Sequence, residues 1–533
     1  AQRVANIPLH RTFFIPNINE AAAIKEQAEK LRVIVFRIRA LEYEVAKPYP
    51  EPLRRIFEQQ GAILAQLAIH DSLLSPCRRL PPEILSSIFL LAVPATWGGA
   101  YVGKRCLNFA CVCLTWRAVA FGTPALWTGL RLRANVNLLY LKENPAALEA
   151  ELERTAQAPL DIRIEMGIDA MAYLPFPRPS VDEIWSDAVW KLLYAQSHRW
   201  SRIWFDKIPL PAYTPLVNLA FPSLLDMTIY MEENNPQPAV QPPVHAFHNA
   251  PNVTTVLFDY KSSILPLEFP QTWKVTDLTI VCVDQISATP GPCLEATLGC
   301  CSSLRSLCIA VDESWDGVQM PPAPLMFPQL DTLYLGNNAI FLCSLITTPK
   351  LKELTISGYP DHNPFGMLQD MLTRSSGCPD LRLFSLTGLD TSDADISSII
   401  VCLGRLPQLT ELELANDEEL DNIETPLVTR RMVQALNRDG PEPGASVLLP
   451  NLSSLAIDLG GLRDEVPLED PFFLGILQDS LRSRQHPREL GDLKLQPLAS
   501  FSYGGDPAWP YENFVAVCQN IQSGVEGSDD EMS

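Results

Sequence analysis

Between Pro222 and Ile457 one spacing recurs: a leading residue, most often proline, then apolar residues at the third, sixth and eighth positions. It reads Pro222-x-Leu224-x-x-Met227-x-Ile229, then Pro251-x-Val253-x-x-Val256-x-Phe258, Trp273-x-Val275-x-x-Leu278-x-Ile280 and Leu304-x-x-Leu307-x-Ile309. It continues through Pro328-x-Leu330-x-x-Leu333-x-Leu335, Pro349-x-Leu351-x-x-Leu354-x-Ile356 and Pro379-x-Leu381-x-x-Phe384-x-Leu386. Pro407-x-Leu409-x-x-Leu412-x-Leu414 and Pro450-x-Leu452-x-x-Leu455-x-Ile457 close the series, and Trp200-x-x-Ile203-x-Phe205 is a degenerate first copy. Alternation at the end of each copy predicts a strand with one buried face, because successive strand side chains point to opposite sides. One strand cannot bury that face alone, so the copies must stack as a parallel sheet, with each return segment covering its back. The 47 prolines and 26 glycines supply the stops that so many connections need.

The leading apolar positions are 29, 22, 29, 26, 21, 30, 28 and 43 residues apart, mostly the length of one leucine-rich repeat, with an insertion in the last step. Return helices are predicted over 294–300, 339–346, 365–373, 393–406, 428–437 and 472–483. The asparagine that often follows the strand in regular leucine-rich repeats is mostly missing, although Asn337 and Asn416 fall near such places. With the uneven period, this predicts an irregular, partly flattened arc. The outward positions Thr228, Leu257, Thr279, Cys308, Tyr334, Thr355, Ser385, Glu413 and Ala456 form the expected recognition set for a protein target. They are mostly small and neutral, so they carry no strong substrate code and the target stays unknown. The acidic run 411–424 reads as a solvated loop or as an attractor of a basic target, and the loops 232–243 and 438–444 as insertions or contact lips.

Upstream, Leu80-Pro81-Pro82-Glu83-Ile84-Leu85 runs through Ser86-Ser87-Ile88-Phe89 and closes with Val112-Cys113-Leu114-Thr115-Trp116-Arg117 and Pro124-Ala125-Leu126-Trp127. Pro82 suits a first helical turn, where its missing N–H would have no intrahelical partner. A helix is predicted over 82–92, on which Ile84, Ile88 and Leu91 make a stripe that Leu85 and Phe89 widen, so that it faces two partners. A second helix over 107–121 carries Val112, Trp116, Val119 and Ala120 and ends before Pro124.

These residues resemble the F-box of fungal F-box proteins, and the closing Pro-x-Leu-Trp-Thr followed by a leucine-rich tail is similar to a large group in mushroom-forming fungi. The resemblance implies a helical module that docks on a Skp-family adaptor, itself bound to a cullin. By position, Leu80, Pro81, Ile84, Leu85, Ile88, Phe89, Val112 and Trp116 form the docking face. It further implies the substrate-recognition subunit of a Skp-cullin-F-box ubiquitin ligase, with the repeats holding a target near the ubiquitin carrier. The alternative is a non-catalytic leucine-rich scaffold whose F-box-like helices are ordinary core against an N-terminal hairpin and bind no adaptor.

Catalytic motifs are missing: the chain has no G-x-S-x-G, G-x-x-x-x-G-K-[ST], H-E-x-x-H or G-x-G-x-x-G. His245 and His248 lie close together but read as loop residues. No enzyme activity, catalytic residue or cofactor is therefore expected. The 13 cysteines sit mostly in apolar contexts, and neither Cys300-Cys301 nor Cys111-x-Cys113 has zinc-site spacing. They read as small core residues in a reducing compartment, so no metal and a cytoplasmic or nuclear location are expected. No stretch of about 18 apolar residues runs together, which argues against a membrane span. The first twenty residues lack a signal-peptide pattern, although a chain that begins at Ala1 leaves an upstream segment open. The formal charge of −21 argues against nucleic acid as a partner. Residues 1–133 hold 17 Lys/Arg against 9 Asp/Glu, a local +8 that leaves −29 for the rest. Such a basic head would be steered towards an acidic adaptor.

The expected order is an irregular leader over 1–18, a helical hairpin over 19–74, the F-box over 75–130, a connector over 131–199, the leucine-rich-repeat-like domain over 200–515 and a disordered acidic tail over 516–533. The fold class is α+β, with the helical hairpin and F-box helices followed by an irregular leucine-rich-repeat α/β solenoid. In the hairpin, Asn19 is the expected cap of a helix on which Ile24, Leu31, Ile38 and Val45 recur every seven residues, with Ile34 and Leu41 between them. A second helix over 53–71 presents Ile56, Phe57, Ile63, Leu64, Leu67 and His70. Three heptads are few, which favours internal pairing over dimerisation. In the connector, 158–164 alternates as a strand, and Ser180 with Glu183 makes a capping box ahead of a helix through Ile184, Ala188, Leu192 and Ala195. Tyr503-Gly504-Gly505 and Trp509-Pro510-Tyr511 are placed to cap the array.

Overall fold

The heptads fold as two helices, α1 (Ile18–Val45) and α2 (Pro50–Leu74). The computed structural model describes residues 15–45, 50–93, 109–134, 145–166, 188–206, 208, 210–232, 247–261, 270, 272–282, 298–299, 302–311, 324–358, 365–389, 393–416, 427–439, 447–458, 471–490 and 493–503. The leader before Ile15, the Ser180/Glu183 capping box, Cys300-Cys301, His245, the acidic run beyond Asn416 and everything after Tyr503 lie outside them. Most of the predicted helix 294–300 and of the two contact-lip loops does so too. The chain divides into two units, Ala1–Trp200 and Ser201–Ser533.

Two details of the hairpin differ from expectation. Its cap is Asn17, whose Oδ1 accepts from the Glu20 N–H at 2.9 Å while the Glu20 carboxylate accepts from the Asn17 N–H at 2.8 Å. That reciprocal capping box satisfies two donors at once, which Asn19 inside the first turn does not do. The seam is Ile24, Ala28, Leu31, Val35 and Ile38, with Ala28 and Val35 buried and Ile34 exposed. The core positions thus alternate four then three residues, putting Val35 rather than Ile34 beside α2. Arg32 ties the helices together through Asp71 at 2.7 Å, and the buried His70 Nδ1 lies 2.8 Å from the Gln66 carbonyl.

A short 3-10 turn (Pro76–Arg79) leads into α3 (Pro82–Ala92), followed by α4 (Leu114–Phe121) and a second 3-10 turn (Pro124–Leu126). Strand β1 (Gly129–Ala134), helix α5 (Pro145–Arg154) and strand β2 (Leu160–Met166) then make a parallel crossover. The expected strand at 158–164 is β2; its partner β1 and the helix between them were not anticipated. Leu130, Leu132, Ile162 and Ile164 are buried on one side of the pair, and Leu148 and Leu152 on α5. Helix α6 (Ala188–Ala195) covers the described end of the helix expected after Ser180.

The second unit is a parallel sheet whose strands coincide with the repeated spacing: β3 (Trp200–Asp206), β4 (Asp226–Glu232), β5 (Thr255–Lys261), β6 (Asp277–Cys282) and β7 (Ser306–Val311). After the short β8 (Leu325–Met326) come β9 (Thr332–Asn337), the short β10 (Ile346–Thr347), β11 (Glu353–Ser357), β12 (Leu383–Thr387), β13 (Glu411–Ala415) and β14 (Ser454–Asp458). The hairpin of β15 (Arg488–Leu490) and β16 (Leu493–Leu495) precedes β17 (Ser500–Tyr503), which extends the sheet by one strand beyond the expected series. From β3 the order is β4-β5-β6-β7-β9-β11-β12-β13-β14-β17, each strand parallel to the next.

The register runs unbroken across these strands. One inward row passes from Ile203 through Met227, Val256, Leu278, Leu307 and Leu333 to Leu354, Phe384, Leu412, Leu455 and Phe501, all buried. Their contacts explain why the spacing tolerates Leu, Ile, Val, Met and Phe but nothing polar. Return segments cover this side: a 3-10 turn (Asn338–Ser344) where a helix was expected, then α7 (Phe365–Arg374), α8 (Asp393–Gly404), α9 (Arg430–Ala435) and α10 (Pro471–Ser483). Asn416 is buried after β13, its Oδ1 accepting from the Leu427 N–H at 3.2 Å.

Cys343, Cys378 and Cys402 are buried in this core. Burial pushes the Cys343 thiol up to about 12 and that of Cys402 to about 11. Since the thiolate is the nucleophile, iodoacetamide at mild alkaline pH should modify the exposed Cys77 and Cys111 about a hundredfold faster than these two. Mass spectrometry of labelled peptides checks this; equal labelling of Cys343 in the native protein would contradict the packing.

Candidate docking face

Helix α3 is a two-faced element, and its sequence explains why. Pro81 is extended (φ −58°, ψ 149°), and its carbonyl accepts from the N–H groups of Ile84 and Leu85, both at 3.1 Å, so the Leu-Pro-Pro start fixes where the helix begins. Leu85 and Phe89, one turn apart, point into a core with Ala110, Val119, Ala120, Leu126 and Trp127. Phe89 is fully buried, stacked on Phe109 at a centroid distance of 4.5 Å and tilted against Trp116 at 4.9 Å. Polar groups close the same side. Ser86 Oγ lies 2.9 Å from Thr123 Oγ1, which donates to the Val119 carbonyl at 2.7 Å, and the Trp127 indole N–H donates to the Ala120 carbonyl at 2.8 Å.

The other face of α3 is left open. Ile84 is 48% exposed, Ile88 41% and Leu91 86%, and positions i, i+4 and i+7 lie on one side of a helix. Pro81, Val112 and Leu114 are exposed as well. The hairpin α1–α2 belongs to the same unit and does not seal the stripe. On α3 alone the open apolar area is on the order of 300 Å², within the range of the largest patch on a typical monomer, which is often functional.

The eight residues expected on one docking face therefore divide. Ile84, Ile88, Pro81 and Val112 are exposed, and Leu80 and Trp116 are half-buried and packed against the internal cluster. Leu85 and Phe89 are corrected to interior positions: a helix with two apolar stripes turns the one bearing its bulkiest ring inward. Leu91 and Leu114 were not in the expected set; the spacing from Ile84 is the signal that finds Leu91. The expected helix over 107–121 is also broken at Cys113, which is extended (φ −160°, ψ 174°) and caps α4 with its Sγ 3.5 Å from the Trp116 N–H. The break separates Val112, on the outside, from Val119 and Ala120, on the inside.

Arg154 of α5 sits over Phe121 and Trp127 at 5.1 and 4.9 Å from the ring centroids, linking the closing Pro-x-Leu-Trp to the crossover. In the second unit, Thr228, Leu257, Thr279, Cys308, Tyr334, Thr355, Ser385, Glu413 and Ala456 fall in one continuous register row on the outward side. Ser385 is buried and Glu413 exposed; the others are half-buried. Among the described residues, no group of three or more His, Cys, Asp or Glu is placed to hold a metal, and no helix is long and apolar enough to cross a membrane. No family model and no curated protein matches the chain.

Proposed function

We propose that this chain is the substrate-recognition subunit of a Skp-cullin-F-box ubiquitin ligase, working in the cytosol or nucleus. In this reading the F-box stretch docks on a Skp-family adaptor and, through it, a cullin. The parallel array acts as an irregular leucine-rich-repeat solenoid that holds a protein target. In this reading the chain supplies no catalytic residue or cofactor, and tethering raises the effective concentration of the target's lysines near the ubiquitin carrier. The observation that carries the reading is the second apolar stripe of α3, Ile84, Ile88 and Leu91, left open while Leu85 and Phe89 fill the module's own core. Covering on the order of 300 Å² at about 25 cal/mol per Å² contributes roughly 7 kcal/mol before the cost of association, so the stripe is a substantial share of a docking energy.

Leu80 and Trp116 are poor test positions, because both pack against the internal cluster and their loss mixes unfolding with binding. The cleaner experiment is co-purification of the full chain with a Skp-family adaptor, wild type beside Ile84→Ser with Leu91→Ser. Wild type should retain the adaptor, and the double variant should lose at least about tenfold in affinity with an unchanged circular-dichroism spectrum. A wild-type chain that retains no adaptor would leave the scaffold reading in its place.

A further inference from the structure

Helix α1 carries a second apolar stripe that the hairpin leaves open. Val33, Phe36 and Ala40 recur at three- and four-residue spacing, so they share one side of the helix, roughly 150° round from the seam that packs on α2. Phe36 is 75% exposed and Val33 51%, and Ala40 is exposed as well. A ring this exposed adds little to the hairpin's own core. The charges around it are mostly of one sign. From Lys30 to Ala40, α1 holds four cations and no acid, and on the part of α2 that faces it, residues 60–71, Asp71 is the one formal charge. Lys30 is paired with Glu26 at 2.7 Å, and Arg32 with Glu29 and Asp71. Arg37 and Arg39 are exposed and, among the described residues, in no ion pair. At about 100° per residue they lie on opposite flanks of the stripe.

We propose that this stripe docks a partner helix whose own apolar seam is flanked by carboxylates. The inference goes beyond the ligase reading and stands without it. A helix laid along α1 seats its apolar side chains around Phe36 and sets its flanking Glu or Asp beside Arg37 and Arg39. A guanidinium presents a planar fork that a carboxylate meets with two parallel bonds, so the flanks select for acid. A second copy of this chain fits badly. With the apolar residues aligned, it sets the flanking arginines of one copy against those of the other, and like charges across an interface cost affinity. Anionic lipid fits badly too. The next positions down the stripe are Glu29 and Glu26, which such a surface repels, whereas a short helix can stop before them.

The test is fluorescence anisotropy with the full chain and a labelled peptide of about three heptads, leucine at a and d and glutamate at e and g, beside its lysine counterpart. Wild type should bind the glutamate peptide, and the lysine one at least about fivefold more weakly. Phe36→Ala should weaken the glutamate peptide about fivefold or more with an unchanged circular-dichroism spectrum. Arg37→Glu with Arg39→Glu should reverse the preference. Ile84→Ser with Leu91→Ser should bind the peptide as wild type does, which places it on α1 rather than α3. No binding, equal binding by Phe36→Ala, or an equal loss in the α3 variant would overturn the inference. So would self-association in sedimentation that Phe36→Ala abolishes, or capture by phosphatidylserine vesicles without peptide binding. Adaptor retention on the same proteins bears on the ligase reading alone, so the two ideas fail separately.

Discussion

Ile88→Asp is expected to abolish adaptor retention while leaving the thermal midpoint within about 2 °C of wild type, and Phe89→Ala, one residue further on, is expected to unfold the module. The two residues are neighbours in the chain and opposites in space. Ile88 is 41% exposed, so a carboxylate there is solvated in the free protein and acts only when a partner tries to cover it. Burying that charge unpaired costs several kcal/mol, enough for a loss on the order of a hundredfold or more. Phe89 is fully buried against Phe109 and Trp116, and truncating such a ring typically costs about 3–5 kcal/mol, more than a helical module this small can spare. Binding to the adaptor and thermal melting, measured on both variants, give the answer. If Ile88→Asp binds as wild type, α3 does not dock through this stripe.

Arg484→Met is the second substitution with a large expected effect, and it acts inside the array rather than at its surface. Arg484 is 1% exposed, and its guanidinium donates to the carbonyls of Leu436 at 2.7 Å, Leu449 at 3.0 Å and Leu448 at 2.7 Å. Arg438 adds a bond to the next carbonyl, that of Pro450, at 3.2 Å. Three successive carbonyls are thus held by two buried guanidiniums, and the middle one belongs to Leu449, whose φ of 51° is unusual for a leucine. Burial and the neighbouring Arg438 hold the Arg484 guanidinium below its ordinary value, so its charge is costly there, and methionine relieves that cost. The lost bonds outweigh it: the Leu449 carbonyl keeps the Leu452 N–H at 3.3 Å, but those of Leu436 and Leu448 lose their guanidinium donor, at about 1–3 kcal/mol each. A net loss of roughly 2–4 kcal/mol should lower the melting midpoint by about 5 °C or more. A midpoint unchanged in Arg484→Met would mean that the turn before β14 stands without this clamp.

The sheet was legible because its signal is local: a period-two end on each copy decides which side chains are buried, and the register then follows from stacking identical patterns. The second stripe of α3 was legible for the same reason, in the i, i+4, i+7 spacing of Ile84, Ile88 and Leu91. Less accessible was which of two apolar stripes turns inward, since Leu85 and Ile84 look alike in one dimension and only the rings of Phe109 and Trp116 decide between them. The break at Cys113 was hidden because an apolar run with helical spacing reads equally well as one helix or two. Arg484 and Arg438 were silent, as an arginine that binds backbone carbonyls leaves no partner side chain to recognise.

From β3 to β17 every strand touches only the strands on either side of it, and the inward row passes hand to hand without a long-range staple. Damage in such an object stays where it happens. A frayed rung near Trp200 need not reach the far end, because each rung leans only on its neighbours. Such a protein can be nicked, lengthened or shortened at one end and keep the other intact.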